Sequence, residues 1–373
     1  MSFTFLHTAD WQLGKRFGSF PSDEAAVLRN ERLQAVGRLA EAAVAAGCSA
    51  VLVAGDVFDA EVVPDALTRR LLEQLKAYPL MWHLLPGNHD PARAGGVWIG
   101  AVQAGLPANV QLHLEPRPAE IAPGVILLPA PLTSKRTETD PTAWWDGVGD
   151  GAAVRIGLAH GSVQGFGSAG DANVPINPAR VKSAGLGYLA LGDWHGTTRI
   201  SEHAWYSGTP EPDGFRDNDP GNALIVRVAG RAPPDVQRVR TAHFTWLQRP
   251  LKVDDAGSLA PLEDEVAGLG SSASRHLLSL ELSGAVPLAE LARVEERLRR
   301  LSPRLFHLAA DLRDVGTFAS AADLASLNSP ALGEIAQRLK TVSEAGGNGA
   351  PVAGRALRRL FAFARQAEAE VKA

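Results

Sequence analysis

The stretch Ala50-Val51-Leu52-Val53-Ala54-Gly55-Asp56-Val57-Phe58-Asp59 (AVLVAGDVFD) decides how the rest of the chain is read. A short apolar run with β-branched Val51 and Val53, closed by a turn signal, reads as a strand buried on both faces. Gly55 lets the backbone turn at the strand's carboxyl end. Asp56 then stands at the rim of a sheet, where open α/β folds place their chemistry. Gly-Asp is also common in surface turns, so this segment alone leaves the function open. A second stretch, Met81 to Asp90 (MWHLLPGNHD), repeats the pattern: an apolar run, Pro-Gly, then Asn88, His89 and Asp90. Asn offers a neutral oxygen, His an imidazole nitrogen or a proton, and Asp a charge to orient that His. Two strands ending in such clusters point to one shared site.

Outward from these two stretches, Phe3 to His7 is the first strand candidate and runs into Thr8-Ala9-Asp10-Trp11-Gln12-Leu13-Gly14. Asp10 and Gln12 are two apart, so on an extended segment they face one way. Ser22 or Asp23 opens a helix to about Ala46, with Val27, Leu28, Leu33, Val36, Leu39, Ala40 and Val44 as its apolar set and Gly47 as its stop. The Ala50 strand follows, so the first two strands form a βαβ unit and are expected to be parallel. Pro64 to Ala77 is a further helix. Val110 to Leu114 and Val125 to Leu128 read as strands. Thr133 to Gly151 is a loop or short helix whose Trp144 and Trp145 are weighed as base-stacking residues and assigned to packing. Val154 to Ala159 ends in His160, and Tyr188 to Leu191 ends in Gly192-Asp193-Trp194-His195. Asn222 to Val228 and Val236 to Arg240 close this part as strands.

Beyond residue 245 the pattern changes. A linker is expected near 245 to 255, then a strand (His276 to Leu282), an Arg/Glu-rich helix (Leu288 to Leu301) and a strand (Arg304 to Leu312). Ala319 to Val342 reads as helical, and EAGGNGAP (Glu344 to Pro351) as a flexible break. A last helix runs from Gly354 to Val371, with Leu357, Leu360 and Phe361 on one face, either packed or docking a partner. The expected domains are 1–245, 250–315 and 316–373. At 373 residues, 45% hydrophobic and 21% charged, the chain reads as an ordinary globular protein with a substantial core. A net charge of −4 supplies no global basic field, so any nucleic-acid contact must come from local patches. The single Cys48 cannot form an internal disulfide. No signal peptide or long apolar span is read, so a cytoplasmic location is expected.

The series Asp10-x-Gln12, Gly55-Asp56-x-Phe58-Asp59, Gly87-Asn88-His89-Asp90, the lone His160 and Gly192-Asp193-x-His195 resembles the calcineurin-like metallophosphoesterase superfamily. HTADWQLGK near the start, with GDVFD, LPGNHD and WYSGTPEP, resembles more closely its SbcD/Mre11 branch of DNA repair nucleases. The resemblance covers roughly residues 1 to 225. It implies an α/β fold, an αββα two-sheet sandwich, with a small C-terminal α+β capping domain and terminal helices. It further implies two divalent metal ions at the sheet edges. Asp56 would bridge them, Asp10, Gln12 and His195 would join it at one, and Asn88, His160 and Asp193 at the other. Two cations roughly 3.5–4 Å apart can hold phosphoryl oxygens and stabilise an in-line transition state. His89 would give a proton to the leaving oxygen or stabilise transition-state charge, with Asp90 orienting it. Lys15, Arg16 and Arg93 follow the metal motifs and are candidate contacts to a DNA backbone.

Two positions depart from the family, whose usual patterns are DxH and GHxH. Gln12 and Asp193 each replace an imidazole by oxygen, which favours Mn²⁺, with Mg²⁺ second, over zinc. The function expected is a Mn²⁺-dependent DNA exonuclease or endonuclease working with an SbcC/Rad50-like coiled-coil ATPase, with a homodimer as an open alternative. The rivals are a small-molecule phosphodiesterase or phosphatase and a weakly active DNA-end-binding scaffold subunit.

Overall fold

In a computed structural model, which describes residues 2–148, 154–166, 173–320, 323–324, 327 and 329–372, β1 (Phe3–Thr8) and β2 (Ala50–Val53) pair in parallel, Leu6 opposite Val51 and Thr8 opposite Val53. The helix that joins them, α1 (Ser22–Ala45), buries Leu33, Val36, Ala40 and Ala43, a stripe spaced three, four and three residues apart that places one face on the sheet. Val27 and Val44, grouped with that stripe in the sequence, are exposed instead. α2 (Asp65–Lys76), β3 (Met81–Leu84), α3 (Val97–Ala104) and β4 (Val110–Leu112) continue the alternation. With β13 (Asn222–Val228) and β14 (Asp235–Arg240) they complete a six-stranded sheet in the order β14-β13-β1-β2-β3-β4. β1 to β4 are parallel, while β13 runs antiparallel to β1 and β14 to β13.

A second six-stranded sheet contains β5 (Ala119–Ala122), β6 (Val125–Ala130), β7 (Val154–His160), β10 (Tyr188–Gly192), β11 (Thr198–Arg199) and β12 (Ala204–Tyr206). Its order is β11-β12-β10-β7-β6-β5, parallel in the middle and antiparallel at both edges. Between its ends lie the short pair β8 (Ser162–Val163) and β9 (Pro175–Ile176) and the one-turn helix α4 (Arg180–Ser183). Side chains alternate along each strand. Phe3, Phe5 and Leu52 therefore enter one core with Leu127, Ile156, Leu158, Tyr188 and Ala190 of the second sheet. Leu6, Val51 and Val53 enter another beneath α1 and α2. His7 ties the two sheets across their core: its Nδ1 lies 3.0 Å from Tyr188 Oη and its Nε2 3.2 Å from Leu191 O, with His7 and Tyr188 fully buried. The fold is therefore the α/β sandwich of two parallel-rich sheets with helices outside. The short Ala143–Gly147 helix buries Trp145 completely and Trp144 partly, so these rings pack rather than face a ligand. The end of that stretch, residues 149–151, lies outside the described residues.

The chain divides into two compact units, Met1–Phe244 and Thr245–Ala373. In the second, β15 (Thr245–Val253), β16 (His276–Pro287) and β17 (His307–Phe318) form a parallel sheet. The segment expected to be a linker near 245–255 is thus mostly β15. Its ladder partner, β16, lies about 30 residues further along the chain, with Thr245 opposite His276, a pairing that no local pattern announces. α5 (Ala260–Gly268) and α6 (Leu288–Leu301) bury Leu262, Val266, Val294 and Leu298 against this sheet. α7 (Pro330–Glu344) and α8 (Ala350–Lys372) follow. Leu357 and Phe361, for which packing and partner docking were both open, are buried with Leu288, Ala319 and Ala336, and Leu360 packs against the same cluster.

Candidate metal centre

The parallel central strands of both sheets deliver their carboxyl ends to one place. Asp10 follows β1, Asp56 follows β2, Asn88 follows β3, His160 ends β7 and Asp193 follows β10. The loops bend sharply to do so. Asp10, Gln12, Asp56 and Asp193 all have positive φ (55°, 43°, 53° and 103°), a region costly for a residue with a Cβ and most often seen where function holds it. Backbone hydrogen bonds hold the bend by joining the two loops. Asp10 N donates to Gly55 O (3.1 Å), Gln12 N to Asp56 O (2.9 Å) and Leu13 N to Val57 O (2.9 Å). Two glycines let the loops approach. A Cβ on Gly87 would lie 2.2 Å from Asp56 Oδ1, and one on Gly55, whose φ is 89°, would lie 2.3 Å from His160 Nδ1.

Among the described residues, Asp10, Asp56 and His160 bring ligand atoms within 4.8 Å of one another, all three buried. His160 Nδ1 donates to Ala54 O at 2.8 Å, which turns Nε2 towards the cluster. Nε2 lies 3.0 Å from Asn88 Oδ1, 3.4 Å from Asp56 Oδ1 and 3.9 Å from Asp193 Oδ1. Burial opposes a charge on His160, but Asp56, Asp10 and Asp193 outweigh it and lift its pKa to about 9. Burial, above all, pushes Asp10 up to about 6. Asp193 N donates to the Asp10 carboxylate (3.2 and 3.3 Å), and Ser162 Oγ donates to Asp193 Oδ2 at 2.8 Å. Three carboxylates, an amide oxygen and an imidazole nitrogen crowded together, with Asp10, Asp56 and His160 buried and Asn88 and Asp193 partly so, are stable together when a cation sits among them. That donor set suits a divalent metal.

His89 lies beside the cluster and is 43% exposed, with Nε2 3.9 Å from Asp56 Oδ2. Its backbone N–H donates to Asp56 Oδ1 (2.9 Å), and its Nδ1 donates to Asp59 O (3.1 Å). The group that orients His89 is therefore the Asp59 carbonyl. Asp90, expected in that role, is fully buried and spends its carboxylate on Gly87 N (2.7 Å) and Phe58 N (3.0 Å). It is a brace between the two motif loops, and it lies there because the GNHD turn folds back over the β2 loop.

Gln12 and His195 meet each other. Gln12 Nε2 lies 3.1 Å from His195 Nε2, while Gln12 Oε1 accepts from Lys15 Nζ at 3.0 Å. Lys15 also donates to Asp213 Oδ2 at 2.7 Å, and His195 Nδ1 lies 3.1 Å from Asp213 Oδ1. Lys15, expected on a DNA backbone, is thus tied into the protein. Arg93 pairs with Glu61 at 3.1 Å, and Arg16 is exposed.

Four participants escaped the sequence reading. Asp213 is 18 residues from His195, and no motif spacing links them. Arg32, buried on α1, donates to Trp11 O (2.7 Å), Asp10 O (2.9 Å), Glu211 O (2.9 Å) and Thr209 Oγ1 (3.0 Å). His7, next to the first motif, ties the two sheets together. Trp194, between Asp193 and His195, is 37% exposed and packs edge-on to Phe166 at 5.3 Å. An aromatic inside the last motif was the signal available for Trp194; Arg32 left none, since an Arg on a helix reads as solvated.

A model of the calcineurin-like phosphoesterase family matches residues 3–227. A solved structure, TT1561 of Thermus thermophilus, is 11% identical over 65% of this chain and 100% of its own, with a TM-score of 0.39. Another is 9% identical with the same coverages and a TM-score of 0.43. No curated protein matches the sequence.

Proposed function

The chain belongs to the calcineurin-like phosphoesterase family of metal-dependent hydrolases, and from that premise we propose that it cleaves phosphodiester bonds in DNA. The observation that carries the reading is the buried convergence of Asp10, Asp56 and His160 with Asn88 and Asp193 around one space. These residues would hold a divalent cation, which when bound supplies Lewis-acid stabilisation of phosphoryl oxygens. The oxygen-rich set favours Mn²⁺, then Mg²⁺. Hydrolysis breaks one P–O ester bond and adds water across it, and the departing oxygen needs a proton. His89 is placed to give it, since its Nδ1 is held by a backbone carbonyl and its exposed Nε2 faces the cluster edge.

DNA as substrate is supported by the likeness of HTADWQLGK, LPGNHD and WYSGTPEP to the SbcD/Mre11 nucleases and by exposed Trp194 beside the centre, a surface on which a base can stack. The same likeness supports an SbcC/Rad50-like ATPase as partner. The test uses labelled single- and double-stranded DNA with Mn²⁺, Mg²⁺ or EDTA, with and without that ATPase. Mn²⁺-dependent cleavage is expected, abolished by EDTA and by Asp56→Asn with the fold intact. Wild-type rates from Asp56→Asn would remove Asp56 from the centre. Hydrolysis of small phosphodiesters with DNA untouched would favour the small-molecule reading.

No helix among the described residues is long and apolar enough to cross a membrane.

A further inference from the structure

The three carboxylates of the cluster are each steadied by a hydrogen-bond donor, and the donors differ in kind. Asp10 accepts from the backbone N–H of Asp193 (3.2 and 3.3 Å), and Asp56 Oδ1 accepts from that of His89 (2.9 Å). Asp193 Oδ2 accepts instead from a side chain, the Ser162 hydroxyl, at 2.8 Å. Asp193 has the greater need of it. Its side chain is 26% exposed where that of Asp56 is 3% exposed. The terminal torsion of an aspartate is broad, and water at such a site competes for both oxygens.

The hydroxyl is itself firmly carried. Gly161 N donates to Gly192 O at 3.1 Å, which ties the segment bearing Ser162 to the residue before Asp193. Ser162 N donates to Val174 O at 2.8 Å. Tyr206 Oη donates to Gly161 O (2.8 Å) and accepts from Val163 N (2.9 Å), so the backbone is clamped on both sides of Ser162. With Oδ2 held in this way, Asp193 turns Oδ1 to the cluster, 3.9 Å from His160 Nε2.

We propose that Ser162 is the positioning residue that lets a carboxylate serve as a metal ligand at position 193, where the family pattern has an imidazole. The inference rests on the metal-dependent reading above and specifies one of its ligands. An imidazole is aimed through its second nitrogen, as His160 is by Ala54 O. A carboxylate has no donor of its own, so its second oxygen must be given one. Ser162 gives it, and the hydroxyl and the carboxylate work as a pair.

The experiment is a double-mutant cycle on the full-length protein, read as Mn²⁺ affinity by calorimetry. Ser162→Ala is expected to weaken binding by about 10-fold or more, as when a group that orients a metal ligand is lost. Ser162→Thr keeps the hydroxyl and is expected to bind as the wild type does. Asp193→Gly removes the carboxylate, and glycine accepts the φ of 103° found there. In that background Ser162→Ala is expected to change the affinity by less than about twofold, the scatter of independent sites, since the hydroxyl then has nothing to hold. An equal loss from Ser162→Ala in both backgrounds would make Ser162 a brace of its own loop and overturn the inference. Unchanged affinity in Ser162→Ala, or wild-type affinity in Asp193→Gly, would overturn it too. A wild type that binds no Mn²⁺ would overturn the metal reading itself and this inference with it. Should Asp193→Gly fail to fold, the contrast between Ser162→Ala and Ser162→Thr still decides whether the hydroxyl sets the affinity.

Discussion

His89 illustrates what one side chain can do once its neighbours are known. The ring is fixed at Nδ1 by the Asp59 carbonyl and reaches no closer than 3.9 Å to Asp56 through Nε2. A ligand of a buried metal would be drawn into the cluster as His160 is; His89 is held at its rim and half in solvent. Replacement by Ala is therefore expected to leave bound manganese unchanged and to slow cleavage by about 10²-fold or more, the usual effect of losing a positioned acid. The measurement pairs metal content with single-turnover rate. If the variant loses its metal, His89 is a ligand and the proton must come from elsewhere.

At the scale of the element, α1 does more than cover a sheet. Its apolar stripe packs on β1 and β2, while Arg32 on the same helix passes under the β1 loop. There it satisfies the carbonyls of Asp10, Trp11 and Glu211 and the Thr209 hydroxyl. This couples the first metal motif to the rim segment Ser207 to Glu211. Burial depresses the basicity of the guanidinium, and Asp213, Glu211, Asp59 and Asp10 offset that effect. Arg32→Met keeps much of the volume but strands several buried carbonyls, each worth about 1–3 kcal/mol when unsatisfied. A loss of about 3 kcal/mol or more in urea unfolding is expected, together with weaker Mn²⁺ binding. Unchanged stability and metal affinity in this variant would mean that the loop holds its strained backbone without the helix.

For the whole molecule, stability towards acid draws on a buried pair of imidazoles outside the metal cluster. His83 on β3 and His113 just beyond β4 are buried, with Nδ1 and Nε2 3.1 Å apart. Burial, with the neighbouring positive charges, lowers their pKa values from 6.5 to about 3 and about 4. Between those values and 6.5 the unfolded chain binds protons that the folded chain refuses. Their contribution is complete above about pH 6.5 and is lost as pH falls, at about 1.4 kcal/mol per pH unit for each His within its window. Asp10 and Glu211, raised by burial to about 6 and about 7, act in the opposite sense. A difference measurement therefore isolates the pair. The melting temperature of the wild type relative to His83→Gln/His113→Gln is expected to fall steadily as the pH drops below about 6.5. A difference that stays flat down to about pH 4.5 would show that both imidazoles titrate as if exposed.

Much of the fold was legible because its signals are local. Apolar runs ending in Gly-Asp or Pro-Gly place strands and the polar clusters after them, and helical spacing between them places the crossovers. The strand Asn222–Val228 and the helix Leu288–Leu301 agree with the sequence reading to the residue. β15 reads as a linker in sequence because Arg249 and Pro250 interrupt its apolar alternation, although its exposure alternates from Leu247 to Val253 once it pairs with β16. The residue types of the centre were likewise legible, since Asp, Asn and His after strands advertise oxygen and nitrogen donors. Their partners were not. Asp90 as a brace, Asp59 as the orienter of His89, Arg32 beneath the loop and the Lys15–Gln12–His195–Asp213 chain all depend on which loops meet in space. A sequence states which donors and acceptors a side chain owns; where each one is spent is decided by neighbours far along the chain, which only the tertiary structure brings within about 3 Å of it.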